Sequence, residues 1–321
     1  MERVLITDSQ FEGTRIEQEA LGGGFDVVFV GDRSHEAIVD AGREAVGMLV
    51  QYASVTDDLL AALPRLRAVV RYGPDNVDMD AARRRGIRVG SVPDYCLDEV
   101  AHHAVAMIAA RARRLATHDR EVKGGRRDGS LGDPPLHPGD DPVGVAGPGA
   151  IGRRVASLAL ALGHPVWFWD AVEDSQLAGA RAVAVPHRTR RRCQPPEPAR
   201  AAHPTDRRQR PGRVHLASLG PMGHLVNTSR GGLIAESNLL AALDGGDLAY
   251  ASLDAVLEEP PGPGSVACHL VEHPRVTATP RMAFLSSRSM DALREKAART
   301  LRDLLRPTPA DPSPTGVMGE V

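Results

Sequence analysis

Cysteine is nearly absent from this chain. The three present, Cys96, Cys193 and Cys268, are an odd number without metal-ligand spacing, which excludes a disulfide framework and a zinc site and makes reduced thiols the default. No stretch approaches the roughly 18 consecutive apolar residues of a membrane span. The N-terminus, MERVLITDSQ, enters a strand-like run without the apolar core of a signal peptide, so a cytoplasmic protein without a membrane partner is expected. An excess of one charge is missing too: 39 basic against 41 acidic residues leave a formal net charge of -2, and nothing draws the chain as a whole to nucleic acid or an anionic surface.

One absence is local. From Pro186 to Arg213 there is no Val, Ile, Leu, Met, Phe, Trp or Tyr, while there are nine arginines and six prolines. Such a stretch cannot supply a buried strand. It reads as an out-of-frame translation of GC-rich coding DNA or as a solvated basic loop, exposed to proteases. Its arginines could contact phosphates, but with no aromatic side chain to stack on bases a nucleic-acid partner is not expected.

Elsewhere the pattern is regular. Short β-rich runs, VLIT, FDVVFV, VGMLV, RAVVRYG and IRVGSV, alternate with helix-compatible stretches over the first hundred residues, as in a parallel α/β layer. DYCLDEVAHHAVAMIAARARRLATHDRE predicts one long helix, acidic at its start and basic later. After the Gly/Pro/Asp-rich GDPPLHPGDDP a second series follows: VGVAG, VWFWD, HLVNTS, YASLDAV and RVTATP. The last helix, SSRSMDALREKAARTLRDLLR, is amphipathic, and the Pro-rich tail after it is expected to be disordered. His102 and His103 are adjacent on a helix without a second ligand pair, so packing or exposure is expected of them and no metal.

Residues 147–152, GPGAIG, fit G-x-G-x-x-G between a strand and a helix. In that context Gly147 permits the tight turn, Gly149 lets the backbone approach a pyrophosphate, and Gly152 allows close helix-strand packing. Ala150 and Ile151 open the helix whose N-terminus attracts the anion. Asp170 ends the next strand, where an acid accepts hydrogen bonds from an adenosine ribose and repels a 2'-phosphate, favouring NAD over NADP.

LVNTSRGGLI, LLAALDGGDLAYASLDAVLEEP and RVTATP resemble the D-isomer-specific 2-hydroxyacid dehydrogenase family, and the similarity runs over most of the chain. RYG with DNVDMDAARRRGIRV, VPDYCLDEVAHHAVAMI and AFLSSRSMDALREKAA look most like its bacterial branch related to the C-terminal binding proteins, NAD-dependent corepressors in animals. The resemblance implies two doubly wound parallel-sheet domains. A flavodoxin-like substrate domain, residues 1–98 and 284–321, would hold an inserted Rossmann cofactor domain, residues 99–283. It implies NAD as cofactor, a small 2-hydroxy or 2-oxo acid as substrate, and a homodimer joined through the cofactor domains.

By the same resemblance Thr228 and Ser229 would line the cofactor, Arg230 would clamp the substrate carboxylate and carbonyl, and Asp254 would face the nicotinamide carboxamide. Glu259 would pair with a histidine acting as acid and base. Family members place that histidine directly after the Thr-Pro, where this chain has Arg281. A guanidinium has no free lone pair and cannot take a proton near neutrality, although it can stabilise developing negative charge. The RYG turn also departs: RYGPDN is about two residues shorter than the glycine-containing carboxylate loop of the family, and Pro74 removes an N–H. A dinucleotide-binding protein without catalysis is therefore the alternative to a dehydrogenase.

Overall fold

The computed structural model describes residues 1–11, 13–73, 76–126, 134–147, 149–169, 181–182, 216, 219–257 and 260–306. The chain divides into two compact units, Met1–Tyr95 with Ser286–Val321, and Cys96–Leu285. The Pro186 to Arg213 stretch, with Cys193, and the Pro-rich tail lie outside the described residues.

In the first unit the β-branched runs form five parallel strands, β1 (Glu2–Ile6), β2 (Phe25–Phe29), β3 (Ala45–Val50), β4 (Ala68–Arg71) and β5 (Arg88–Ser91), in the order β2-β1-β3-β4-β5. Helices α1 (Arg15–Leu21), α2 (His35–Gly42), α3 (Asp57–Ala62) and α4 (Met79–Arg84) connect them. All six residues of β3 are buried, as a central strand covered on both faces requires. The C-terminal helix Ser287–Leu305 returns to this sheet, burying Leu293, Ala297, Ala298, Leu301 and Leu305 at helical spacing. Glycine in two strands makes room for it: a Cβ on Gly47 would stand 3.1 Å from Leu301 and Leu305, and one on Gly90 2.9 Å from Thr300.

A buried ion pair ties the same helix to α1. Arg294 donates through Nε and Nη2 to the two oxygens of Glu17, at 2.7 and 2.6 Å, and through Nη2 to the Gly13 carbonyl at 2.7 Å. The Tyr72 hydroxyl donates to Glu17 at 2.9 Å, and burial followed by the Glu17 charge pushes its pKa up.

The second unit begins with α5 (Leu97–Ala112) and α6 (Leu115–Lys123) where one long helix was expected. The break falls at Arg114, the N-cap of α6, whose φ of 54° is left-handed. Neither glycine nor proline marks it. Strands β6 (Val143–Ala146), β7 (Val166–Trp169) and β8 (Arg181–Ala182) form one parallel sheet, with α7 (Ala150–Ala161) after β6. Strands β9 (His224–Asn227), β10 (Tyr250–Leu253) and β11 (Val276–Ala278) form another, with α8 (Glu236–Asp244) and α9 (Val266–Glu272) between them. A cavity of about 500 Å³ is lined by β6, the start of α7 and β9. No helix among the described residues is long and apolar enough to cross a membrane.

Candidate active site

The turn after β6 has the geometry its glycines suggest. Gly147 has φ 78°, which glycine adopts without strain. A Cβ on Gly152 would lie 2.3 Å from the Gly147 carbonyl oxygen, so only glycine lets α7 pack this closely on the turn. Gly149 is the N-cap of α7 and has no side chain to satisfy the helix's first N–H groups; nothing lies within 4 Å of where its Cβ would be. Ala150 and Ile151 begin the helix, whose first N–H groups have no partner within the helix and whose end carries a positive dipole. Asp170 follows β7 directly and lies outside the described residues.

At the end of β9 the sequence did not single out Asn227, yet it organises the loop. Its Oδ1 accepts from Ser229 N at 3.1 Å, and its Nδ2 donates to the carbonyls of Arg230 at 3.0 Å and Ala255 at 3.4 Å. Thr228, Ser229 and Arg230 are thereby fixed in one turn. Thr228 and Ser229 line the same cavity as Gly152 and Ile151. Arg230 is exposed and donates to the Ser229 carbonyl at 3.0 Å. Gly231 brings this turn against the loop after β10: a Cβ there would be 2.0 Å from the Val256 carbonyl carbon. The double glycine of SRGGL was the available signal.

Asp254, 4% exposed, is an anchor for the segment carrying Arg281. Its Oδ1 accepts from the Thr279 hydroxyl at 2.6 Å and Met282 N at 2.8 Å, and its Oδ2 from Ala283 N at 3.0 Å. His103 of α5 closes the group, with Nε2 3.1 Å from Thr279 Oγ1 and 3.7 Å from Asp254 Oδ1. His103 is thus packed against the anchor, while His102 is exposed with Nδ1 2.7 Å from the Asp98 carbonyl. Asp254, expected to face a nicotinamide carboxamide, accepts two internal donors at Oδ1 and one at Oδ2. Held from both sides, Arg281 has φ 49°, a left-handed conformation rare outside glycine. Glu259, its expected neighbour, and Pro74 of the RYG loop lie outside the described residues.

The model of the D-isomer specific 2-hydroxyacid dehydrogenase catalytic domain matches residues 4–312. The chain belongs to this family. Among the relatives of this 2-hydroxyacid dehydrogenase family member, a glycerate dehydrogenase of Methylorubrum extorquens is 29% identical over 268 residues, covering 81% of this chain and 83% of its own. A D-3-phosphoglycerate dehydrogenase of Mycobacterium bovis is 30% identical over 319 residues, 93% of this chain. The chain spans only 56% of that relative's length. Among solved structures, a D-lactate dehydrogenase of Aquifex aeolicus complexed with NAD and lactic acid shares the two-domain Rossmann fold at TM-score 0.80 and 23% identity, over 94% of this chain and 95% of that one.

Near the cavity of this family member, His224 on β9 has its Nε2 2.8 Å from Ser252 Oγ. Desolvation, and then the charge of Arg111, push its pKa down to about 3. A histidine kept neutral by the fold and free to charge when unfolded costs stability in acid. Its contribution is intact above about 6.5 and is lost as pH falls toward about 3, by up to about 1.4 kcal/mol per pH unit. His224→Gln is expected to flatten the decline in unfolding free energy measured by urea titration across that window; an unchanged slope would assign the acid sensitivity to other groups.

Proposed function

We propose that this chain is an NAD-dependent oxidoreductase that moves a hydride between nicotinamide and a small D-2-hydroxy or 2-oxo acid, weakened by the loss of its proton-transfer histidine. The observation that carries the reading is the glycine turn, where Gly147, Gly149 and Gly152 leave an uncapped helix end beside open space. That arrangement fits a dinucleotide pyrophosphate. Gly147 through Gly152 would hold the phosphates, Asp170 the ribose, and Thr228 and Ser229 the neighbouring part of the cofactor. When bound, the nicotinamide supplies or accepts the hydride at substrate C2.

The rest of the chemistry falls to this chain's side chains. Arg230, exposed at the end of β9, would grip the substrate carboxylate with its planar fork and polarise the carbonyl beside it. Asp254, Thr279 and His103 would act as positioning residues, fixing the turn on which residue 281 stands. Arg281 would stabilise developing negative charge on the substrate oxygen and pair with Glu259, but it cannot take up or deliver the hydroxyl proton. The loss of that step alone costs roughly 10²- to 10⁴-fold in rate.

In this reading the first unit is the substrate domain and the second the cofactor domain. A homodimer through the second unit is supported by Leu115 and Val122 of α6, which stand 58% and 49% exposed. A cytoplasmic location is supported by the low cysteine content, three in the whole sequence. Arg281 also favours a second reading, a non-catalytic NAD(H)-binding regulator resembling the C-terminal binding protein corepressors.

Fluorescence titration tests the cofactor assignment. NADH is expected to bind more tightly than NADPH because of Asp170, and equal or reversed affinities would overturn the role given to that acid.

A further inference from the structure

The second unit holds another cavity, of about 460 Å³, bounded by α5, α6 and the strands β10 and β11. It includes none of the glycine-turn residues. Four arginines line it: Arg111 in the last turn of α5, Arg114 at the break before α6, Arg120 on α6, and Arg275 just before β11. Among the described residues, no Asp or Glu lines it.

Collecting like charges in a partly desolvated space is unfavourable unless something answers them. Arg111 shows the strain most directly. Burial, and then the neighbouring charge of Arg114, hold its pKa below the usual arginine value, with Tyr250 and Asp141 opposing by less. Its Nε is buried without a hydrogen-bond partner among the described residues, and its guanidinium lies over the Tyr250 ring, 5.2 Å from the centroid. Among the described residues Arg120 and Arg275 are bonded to neutral carbonyls, Arg120 Nε donating to Ala116 at 3.2 Å and Arg275 Nη2 to Leu243. No carboxylate among the described residues pairs with Arg111, Arg120 or Arg275. Neutral donors stand opposite: the Tyr250 and Thr277 hydroxyls are 2.9 Å apart, so one proton serves that bond and the other is available.

We propose that this cavity binds a small phosphate-bearing anion, a phosphomonoester or pyrophosphate, gripped by Arg111, Arg114, Arg120 and Arg275 and met by the Tyr250 and Thr277 hydroxyls. Guanidinium forks match phosphate oxygens two at a time, and the volume lies within the roughly 300–1,000 Å³ of small-molecule sites. Ala116, Thr117 and Arg120 of α6 line the cavity, while Leu115 and Val122 are the residues of that helix with exposed apolar surface.

The test is calorimetric titration of the full chain with inorganic phosphate and with pyrophosphate, beside the double variant Arg114→Gln/Arg120→Gln. One pyrophosphate is expected per chain, bound about 100-fold more weakly by the variant, because each lost charged contact costs roughly tenfold or more. NADH affinity should stay within about twofold, because Arg111 lines both cavities but neither Arg114 nor Arg120 lines the one at the glycine turn. Thr117→Glu, which sets a carboxylate against the arginines, gives the same test in a second background should the double variant fail to fold, and it too should weaken binding. The proposal is overturned if the wild-type chain binds neither anion at millimolar concentration, if the folded variants bind as wild type, or if pyrophosphate competes one for one with NADH. It is equally overturned if wild type shows no anion binding while the double variant dissociates in size-exclusion runs, since the cavity would then be covered by a second copy.

Discussion

Arg281→His is expected to raise turnover of small 2-oxo acids with NADH by about 100-fold or more, the lower end of what a positioned acid or base supplies. The surroundings are prepared for it. The turn is held by the three hydrogen bonds that Asp254 accepts from Thr279, Met282 and Ala283, none of which involves the 281 side chain. Residue 281 has φ 49°, a left-handed conformation in which histidine is enriched relative to most non-glycine residues. The substitution therefore suits the backbone already present. Arg230→Ala in the same background should abolish the gain, because hydride transfer needs the substrate held and its carbonyl polarised. A histidine variant that binds NADH normally yet stays inactive across a panel of 2-oxo acids would shift suspicion to the shortened RYG loop and favour the non-catalytic reading.

Arg294→Met is expected to destabilise the first unit by about 3–5 kcal/mol, the usual result of stripping one partner from a buried ion pair. Glu17, 1% exposed, would be left among the described residues with the Tyr72 hydroxyl as its remaining side-chain partner. The double variant Glu17→Leu/Arg294→Met should recover much of the loss, since an apolar pair carries no unanswered charge. Both tryptophans belong to β7 of the second unit, so their emission reports that unit, and hydrogen exchange in β1 and β4 reports the first. A loss below about 1 kcal/mol, or one seen equally in both reporters, would mean that the pair does not hold the C-terminal helix as described.

Apart from β8, Arg181–Ala182, which has no such signal, the parallel strands of both units were legible because each is a short β-branched or apolar run closed by polar residues. The glycine turn was legible because Gly147 and Gly152 meet steric demands that no other residue can. The break at Arg114 was not, since a left-handed arginine within ARARRL carries no glycine or proline signal. Nor were the contacts that close the candidate site. Thr279 meets His103 across 176 residues, and Asn227 reaches Ala255 across 28, distances over which no local pattern speaks. Asp254 was visible as a candidate, but which donors would fill its carboxylate depended on how β10 and β11 lie side by side, paired from Ala251–Val276 to Leu253–Ala278.

On the proposed function, Arg281 stands where a proton-transfer group is required. The most direct test of this is the pH profile of kcat/KM for 2-oxo acid reduction, measured on the wild-type chain and on Arg281→His with Arg230 intact. In reduction the histidine must be protonated to deliver its proton, so the variant's kcat/KM should be highest in mild acid. It should fall as pH rises through an ionisation in the histidine range, near the reference value of about 6.5 or above it where Glu259 supports the charged form. Wild type should be slower and show no such ionisation. Superimposable profiles, or a faster variant without the new ionisation, would contradict the claim that residue 281 is the point of proton transfer.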